Sequence, residues 1–307
     1  RAAHDRPAGR LHPLPGPDVT GARARRAFDR LEANLGRLAE RRPRVALCAA
    51  GVVGAARNRL SRRWPSTGEV RALFPHLTRA PAALAAARIG ALEARNRVQV
   101  RCVARAGLAP LRPLVSVADA LLALRGPCIL ATFHVGATHM LGPALERLSA
   151  PVLALRLGSL AAVRPPLESV TTEGDEQQRA AVFYRAKRQL DDGNFVAMAV
   201  DVVRGASIQT ACLGRSLRLA RGAFALSALT GTPIVPLVSR WRRRGAFVVA
   251  GEPLRPVHHA DHAIDSTASE QALAVAAAAW LEQYLLRAPA ELSLGLLLGL
   301  LYPPDPG

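Results

Sequence analysis

The chain has 307 residues, enough to bury one full core, and half of it is hydrophobic, which excludes wholesale disorder. Its 41 Lys and Arg against 23 Asp and Glu give a formal charge of +18, and Lys187 is the only lysine. Such a surface attracts anionic lipid head groups, acidic carrier proteins or nucleic acid. Nucleic acid is the least supported of these, because there is no zinc-finger spacing, no RNP-type motif and few aromatics for stacking.

In chain order, residues 1–24 read as a flexible basic tail, without periodicity through Thr20. Residues 25–307 read as a single α/β domain, with a helical N-terminal part at 25–115 and a sheet-containing catalytic part at 116–307. Ala27, Leu31, Leu35 and Leu38 recur at helical spacing with arginines on the other face. The apolar run Val45 to Ala56 covers only about 18 Å as a helix, too short to span a bilayer. The tail Leu292 to Tyr302 is shorter still. Either run suits a membrane interface or a buried core helix. A sharp break at Leu73–Thr78 precedes a long Ala-rich helix from Ala82 to Arg105.

The pattern then changes. Ser116 to Leu124 reads as a helix ended by Gly126-Pro127. Cys128 to Phe133 is a short apolar run bounded by turn residues, the signal of a buried strand, and His134 follows it. Pro151 to Leu157 is a further apolar run, and Gln177 to Leu190 reads as a helix. After the Asp192-Gly193 turn, Phe195 to Val200 is another buried strand, ending at Asp201. Leu219 to Leu229 reads as a helix, with Gly231 as its C-cap and Pro233 preventing continuation. Strands at Ile234–Val238 and Ala246–Ala250 and a helix at Ala272–Leu286 complete the chain. The alternation predicts a mixed sheet flanked by helices, with a helical N-terminal region.

In α/β sheets, function sits at the carboxyl ends of strands. His134 and Asp201 hold that place here. After His134 the small residues of Val135-Gly136-Ala137-Thr138-His139 leave open space beside the imidazole. The four cysteines, Cys48, Cys102, Cys128 and Cys212, form no CxxC pair or disulfide framework, which suits a reducing compartment. His258-His259-Ala260-Asp261-His262 has metal-binding residue types, but a polar segment needs no metal to explain it and none is assigned. Arg240-Trp241-Arg242-Arg243-Arg244-Gly245 reads as an exposed hairpin turn. It is either solvated or set against phosphates of lipid or of a carrier's prosthetic arm.

Several of these stretches together resemble one family, the lipid A late acyltransferases (the lauroyl/myristoyl group) of the lysophospholipid acyltransferase superfamily. Thr132-Phe133-His134-Val135-Gly136-Ala137-Thr138-His139 is similar to the superfamily's histidine motif, with His134 on the histidine. Leu73-Phe74-Pro75-His76-Leu77 resembles its Phe-Pro segment, and Gly193 to Asp201 its strand ending in aspartate. Leu213-Gly214-Arg215 resembles its Phe-Gly turn, and Gly222 to Pro236 its Gly-x-Ala helix and Thr-Gly-x-Pro segment. Gly251-Glu252-Pro253-Leu254 and Arg287-Ala288-Pro289-Ala290-Glu291 resemble later landmarks.

The resemblance implies an acyltransferase-like fold in which His134 is a general base. The acyl chain would move from an acyl carrier protein or coenzyme A thioester to a hydroxyl or amine. No metal or bound cofactor is required. Gly136 backbone groups, Thr138, Arg204 and Arg240 are the expected substrate-binding positions, with Arg204 or the Gly136 amides as oxyanion donors. The implied setting is cytoplasmic, peripheral at the inner face of the cell membrane, on anionic lipid. One departure stands out: the family's acid, five residues after the histidine, is replaced by His139. Either Asp201 orients His134 instead, or His134 works without a carboxylate, or the chain keeps the fold and binds acyl chains or a partner protein without turnover. A basic nucleic-acid binder is the reading from charge alone.

Overall fold

Good helix formers and heptad-like apolar spacing make the first third helical: α1 (Val19–Arg41), α2 (Pro43–Leu60), α3 (Thr67–Leu73) and α4 (Arg79–Ala106). The computed structural model describes residues 19–60, 65–156, 165–203, 205–243, 245–256 and 266–302. α1 begins inside the stretch expected to be tail, because Ala22-Arg23-Ala24-Arg25 propagates the helix toward the N-terminus. The first 18 residues, Arg204 and the His258–His262 cluster lie outside the described residues.

α1, α2 and α4 pack on one another around Glu32, which is fully buried. Its carboxylate takes two 2.8 Å bonds from Arg97 and one of 3.3 Å from Arg57, so each of the three helices contributes to a single charge cluster. α2 crosses α4 closely at Gly54, where a Cβ would stand 2.4 Å from the Gly90 carbonyl. The apolar face expected on α1 is only partly used: Leu35 is buried, whereas Leu31 and Leu38 stay exposed. α3 starts with a capping box between Ser66 and Glu69, and buried Phe74 ends it at the expected break.

The sheet follows: β1 (Val115–Val117), α5 (Asp119–Leu122), β2 (Cys128–Gly136), α6 (Leu141–Leu145), β3 (Val152–Arg156), β4 (Leu167–Thr171), α7 (Glu176–Asp191) and β5 (Phe195–Ala199). Next come β6 (Ser207–Cys212), β7 (Arg215–Ala220), α8 (Gly222–Thr230), β8 (Ile234–Arg242), β9 (Gly245–Ala250), α9 (Ser266–Arg287) and α10 (Leu294–Leu301). Seven strands form one mixed sheet in the order β1-β9-β8-β2-β5-β3-β4. β9 runs antiparallel to β8, and the other pairs are parallel. β6 and β7 make a separate hairpin whose turn, Leu213-Gly214, has positive φ at both residues.

Two expected helices are corrected. Ser116–Leu124 begins as strand: Val115–Val117 pair with Ala246–Val248, and Ser116 Oγ donates to the Ala246 carbonyl. That partner lies 130 residues downstream, so local pattern could not reveal it. The helix expected from Leu219 begins at Gly222, because Leu217 and Leu219 alternate inward as part of β7. Gly231 is the left-handed cap expected, at φ +68°.

The sheet has a packed layer on each face. Ile129, Ala131, Phe133 and Val135 of β2 enter one core with α8, α9 and α10. Cys128 and Leu130 enter the other with α1, α2 and α6. Period-two alternation then leaves Thr132 and His134 facing a cavity. Cys102, Cys128 and Cys212 are buried free thiols, and Cys48 is exposed.

Candidate active site

Three neighbouring parallel strands end together. The β2–β5 register pairs Thr132 with Ala199, so two residues further on His134 stands beside Asp201. β3 pairs with β5 through Leu155 and Met198, which brings Arg156 to the same edge. Between Thr132 and Gly136 the β2–β8 register slips, since four residues on β2 match two on β8. His134 lies in that bulge, the kind of irregularity that re-aims a side chain beside a site.

The Asp201 carboxylate is almost wholly buried and uses both oxygens on His134. One lies 2.8 Å from Nδ1, and the other accepts the His134 backbone N–H at 2.6 Å. A carboxylate only accepts, so Nδ1 carries the hydrogen and Nε2 keeps its lone pair. Burial alone would lower the His134 pKa. The charge and hydrogen bond of Asp201 outweigh burial and the opposing Arg156, leaving it raised above 6.5. The imidazole is 41% exposed. It opens on a cavity of about 890 Å³.

That cavity is largely apolar, with Val103, Leu108, Leu141, Leu145, Leu167 and Phe183 in its wall. Its polar lining includes Thr138, His139, Arg156 and Arg179. Burial, reinforced by His134 and Arg156, lowers the His139 pKa to about 4, so this side chain is neutral at physiological pH and does not oppose charging of His134. Arg156 escaped the sequence analysis, although it ends an apolar strand as His134 and Asp201 do. Its Nη1 is buried without a hydrogen-bond partner among the described residues, and burial lowers its pKa. A guanidinium nitrogen beside a base, without a partner among the described residues, is poised for an anion.

Two expected binding positions lie elsewhere. Gly136 is turned away from the cavity toward β8: the Ala137 amide donates to the Ser239 carbonyl at 2.8 Å, and Asn96 donates to the Gly136 carbonyl at 3.1 Å. The Ala137 amide is therefore committed and is not a free oxyanion donor. Arg240 lies over the Phe247 ring on the same far side, so it is a packed strand residue and not part of a solvated turn. Among the described residues no group of His, Cys, Asp and Glu could hold a metal ion.

No family model matches the chain, and no curated protein matches it. Among solved structures, the chain is similar to the crystal structure of the 1-acyl-sn-glycerophosphate (LPA) acyltransferase, PlsC, from Thermotoga maritima. Identity is 14% and the TM-score 0.35, over 79% of this chain and 97% of that one. At those values the likeness carries no argument about chemistry, which rests on the site itself.

Proposed function

We propose that the protein is an acyltransferase that moves an acyl chain from a thioester, of an acyl carrier protein or coenzyme A, to a hydroxyl or amine. The observation that carries this reading is the His134–Asp201 pair at the mouth of a large apolar cavity. His134 Nε2 takes the acceptor's proton as its oxygen or nitrogen attacks the thioester carbon. The carbonyl electrons move to oxygen beside Arg156, which stabilises the oxyanion in place of the expected Gly136 amides. Collapse reforms the carbonyl and breaks the C–S bond, and the thiolate takes the proton back from Nε2. Asp201 holds the tautomer and stabilises the imidazolium, the role of the orienting acid in a catalytic triad. Each methylene placed in the apolar wall contributes ~0.8 kcal/mol, so the cavity suits a chain better than a polar metabolite. The acid that follows β5, Asp201, supports this reading over that of an inactive relative.

The direct test is incubation of the full chain with radiolabelled dodecanoyl thioesters of coenzyme A and of acyl carrier protein, with hydroxyl and amine acceptors. Labelled ester or amide is expected. Retention of the thioester with no product would leave an acyl-binding protein and sink the transferase reading.

The natural substrate interface in this reading is an anionic bilayer surface. Leu31, Leu38, Val45 and Val52 are exposed at seven-residue intervals along α1 and α2, and Arg37, Arg41, Arg42 and Arg44 are exposed among them. Apolar side chains rimmed by cations suit shallow burial among acidic head groups. No helix among the described residues is long and apolar enough to cross a membrane. Sedimentation with phosphatidylglycerol vesicles is expected to pull the protein down, with binding falling about tenfold or more in Val45→Asp/Val52→Asp. Equal binding of the variant would remove this face from the proposal.

A further inference from the structure

Behind the catalytic strand end, on the side away from the cavity, three elements converge on Gly136: β8, α4 and the turn that follows α9. This residue has φ +68°, and an added Cβ would meet the Ser239 carbonyl at 1.7 Å and Glu291 Oε2 at 2.9 Å. The wedge on that side is thus a carboxylate, placed by the short turn Pro289–Glu291 after α9. Glu291 Oε2 also accepts the Trp241 amide of β8, at 3.4 Å. From α4, Asn96 holds the Gly136 carbonyl. The cluster is expensive. Asn96 Oδ1, Ser239 Oγ, Arg240 Nε and Tyr284 Oη are buried with no partner among the described residues.

Glu291 adds to that expense. Burial raises its pKa to about 7 despite the Trp241 amide and the charges of Arg240, Arg95 and Arg88. A group raised from 4.5 in this way favours the fold when neutral. That contribution is complete below pH 4.5 and lost as pH rises through about 7. A carboxylate placed where its charged form costs stability is a pattern found at functional positions.

We infer that Glu291 is a positioning residue: its carboxylate, wedged between the Gly136 backbone and the Trp241 amide, locks the Gly136–Ala137 turn and so sets how His134, Thr138 and His139 face the cavity. The inference rests on the acyl-transfer reading for its kinetic consequence. In its charged form Glu291 draws Arg95 of α4 and Arg240 of β8 together across the turn. In its neutral form it keeps only a long bond to an amide. The charged and titratable groups that face it are Arg88 and Arg95 from α4, Arg240 from β8 and Tyr284 from α9, the last held protonated by burial.

The test is Glu291→Gln in the full chain, with dodecanoyl-coenzyme A as probe. At about pH 8.5 kcat is expected to fall about tenfold with KM within about twofold, and the gap is expected to close near pH 5.5, where the wild-type carboxyl is also neutral. The variant is expected to melt higher than wild type at the upper pH and equally at the lower one. A pH-independent gap, or none, overturns the inference. If wild type transfers no acyl group, the transferase reading falls and the Ala137 amide becomes the readout. Hydrogen exchange there about tenfold faster in Glu291→Gln at pH 8.5, with distant amides unchanged, supports the inference, and equal exchange overturns it.

Discussion

Asp201→Asn is expected to lower the acyl-transfer rate by ~10²–10⁴-fold while leaving the fold intact. The reason is atomic. Both Asp201 oxygens face His134 donors, its backbone N–H and Nδ1–H. Asparagine offers only one acceptor. With that oxygen on the backbone N–H, its NH₂ faces Nδ1 and forces the hydrogen onto Nε2, which then cannot take a proton. The pH profile gives a second sign. A base must be neutral, so the wild-type rate falls as pH drops through a value above 6.5, the raised His134 pKa. Without the carboxylate, burial and Arg156 both act downward, and the residual acid limb moves to lower pH. Steady-state kinetics between about pH 5 and 9 check both points, with His134→Ala as the inactive reference. An Asp201→Asn enzyme with full activity would exclude this carboxylate from the chemistry.

Arg156→Met is expected to move activity and stability in opposite directions. Loss of the cation facing the developing oxyanion lowers kcat by ~10²–10³-fold. Removal of a buried guanidinium nitrogen that lacks a partner among the described residues is expected to relieve ~1–3 kcal/mol and to raise the melting temperature. The acid limb also shifts upward, opposite to Asp201→Asn, because Arg156 lowers the His134 pKa. A melting temperature that falls would show that Arg156 is paired in the folded protein.

The residues explain what was legible. Apolar runs bounded by turns located β2, β5, β8 and β9 to within a few residues, because buried parallel strands need continuous apolar sequence. The same rule, that polar residues ending such runs reach the functional edge, picked out His134 and Asp201. Applied to Val152–Arg156 it would have found Arg156 too. β1 was misread because three residues carry no period, and only its pairing with β9 makes it a strand. Gly136 and Arg240 were misplaced for a related reason. The slip between β2 and β8 decides which side of the strand each residue faces, and a register is a property of two strands.

By itself, the sequence determined the alternation of helices and strands, the basic surface, and the presence of an imidazole and a carboxylate after two apolar strands. Those are local matters of propensity, periodicity and charge. The tertiary structure decided that β2 and β5 are neighbours in parallel register, which turns residues 67 positions apart into a 2.8 Å pair. It also decided that His139 is neutral, that Arg156 joins the site and that Glu291 stands behind it. Desolvation and hydrogen bonding depend on what surrounds a side chain in space, and no spacing along the chain carries that information.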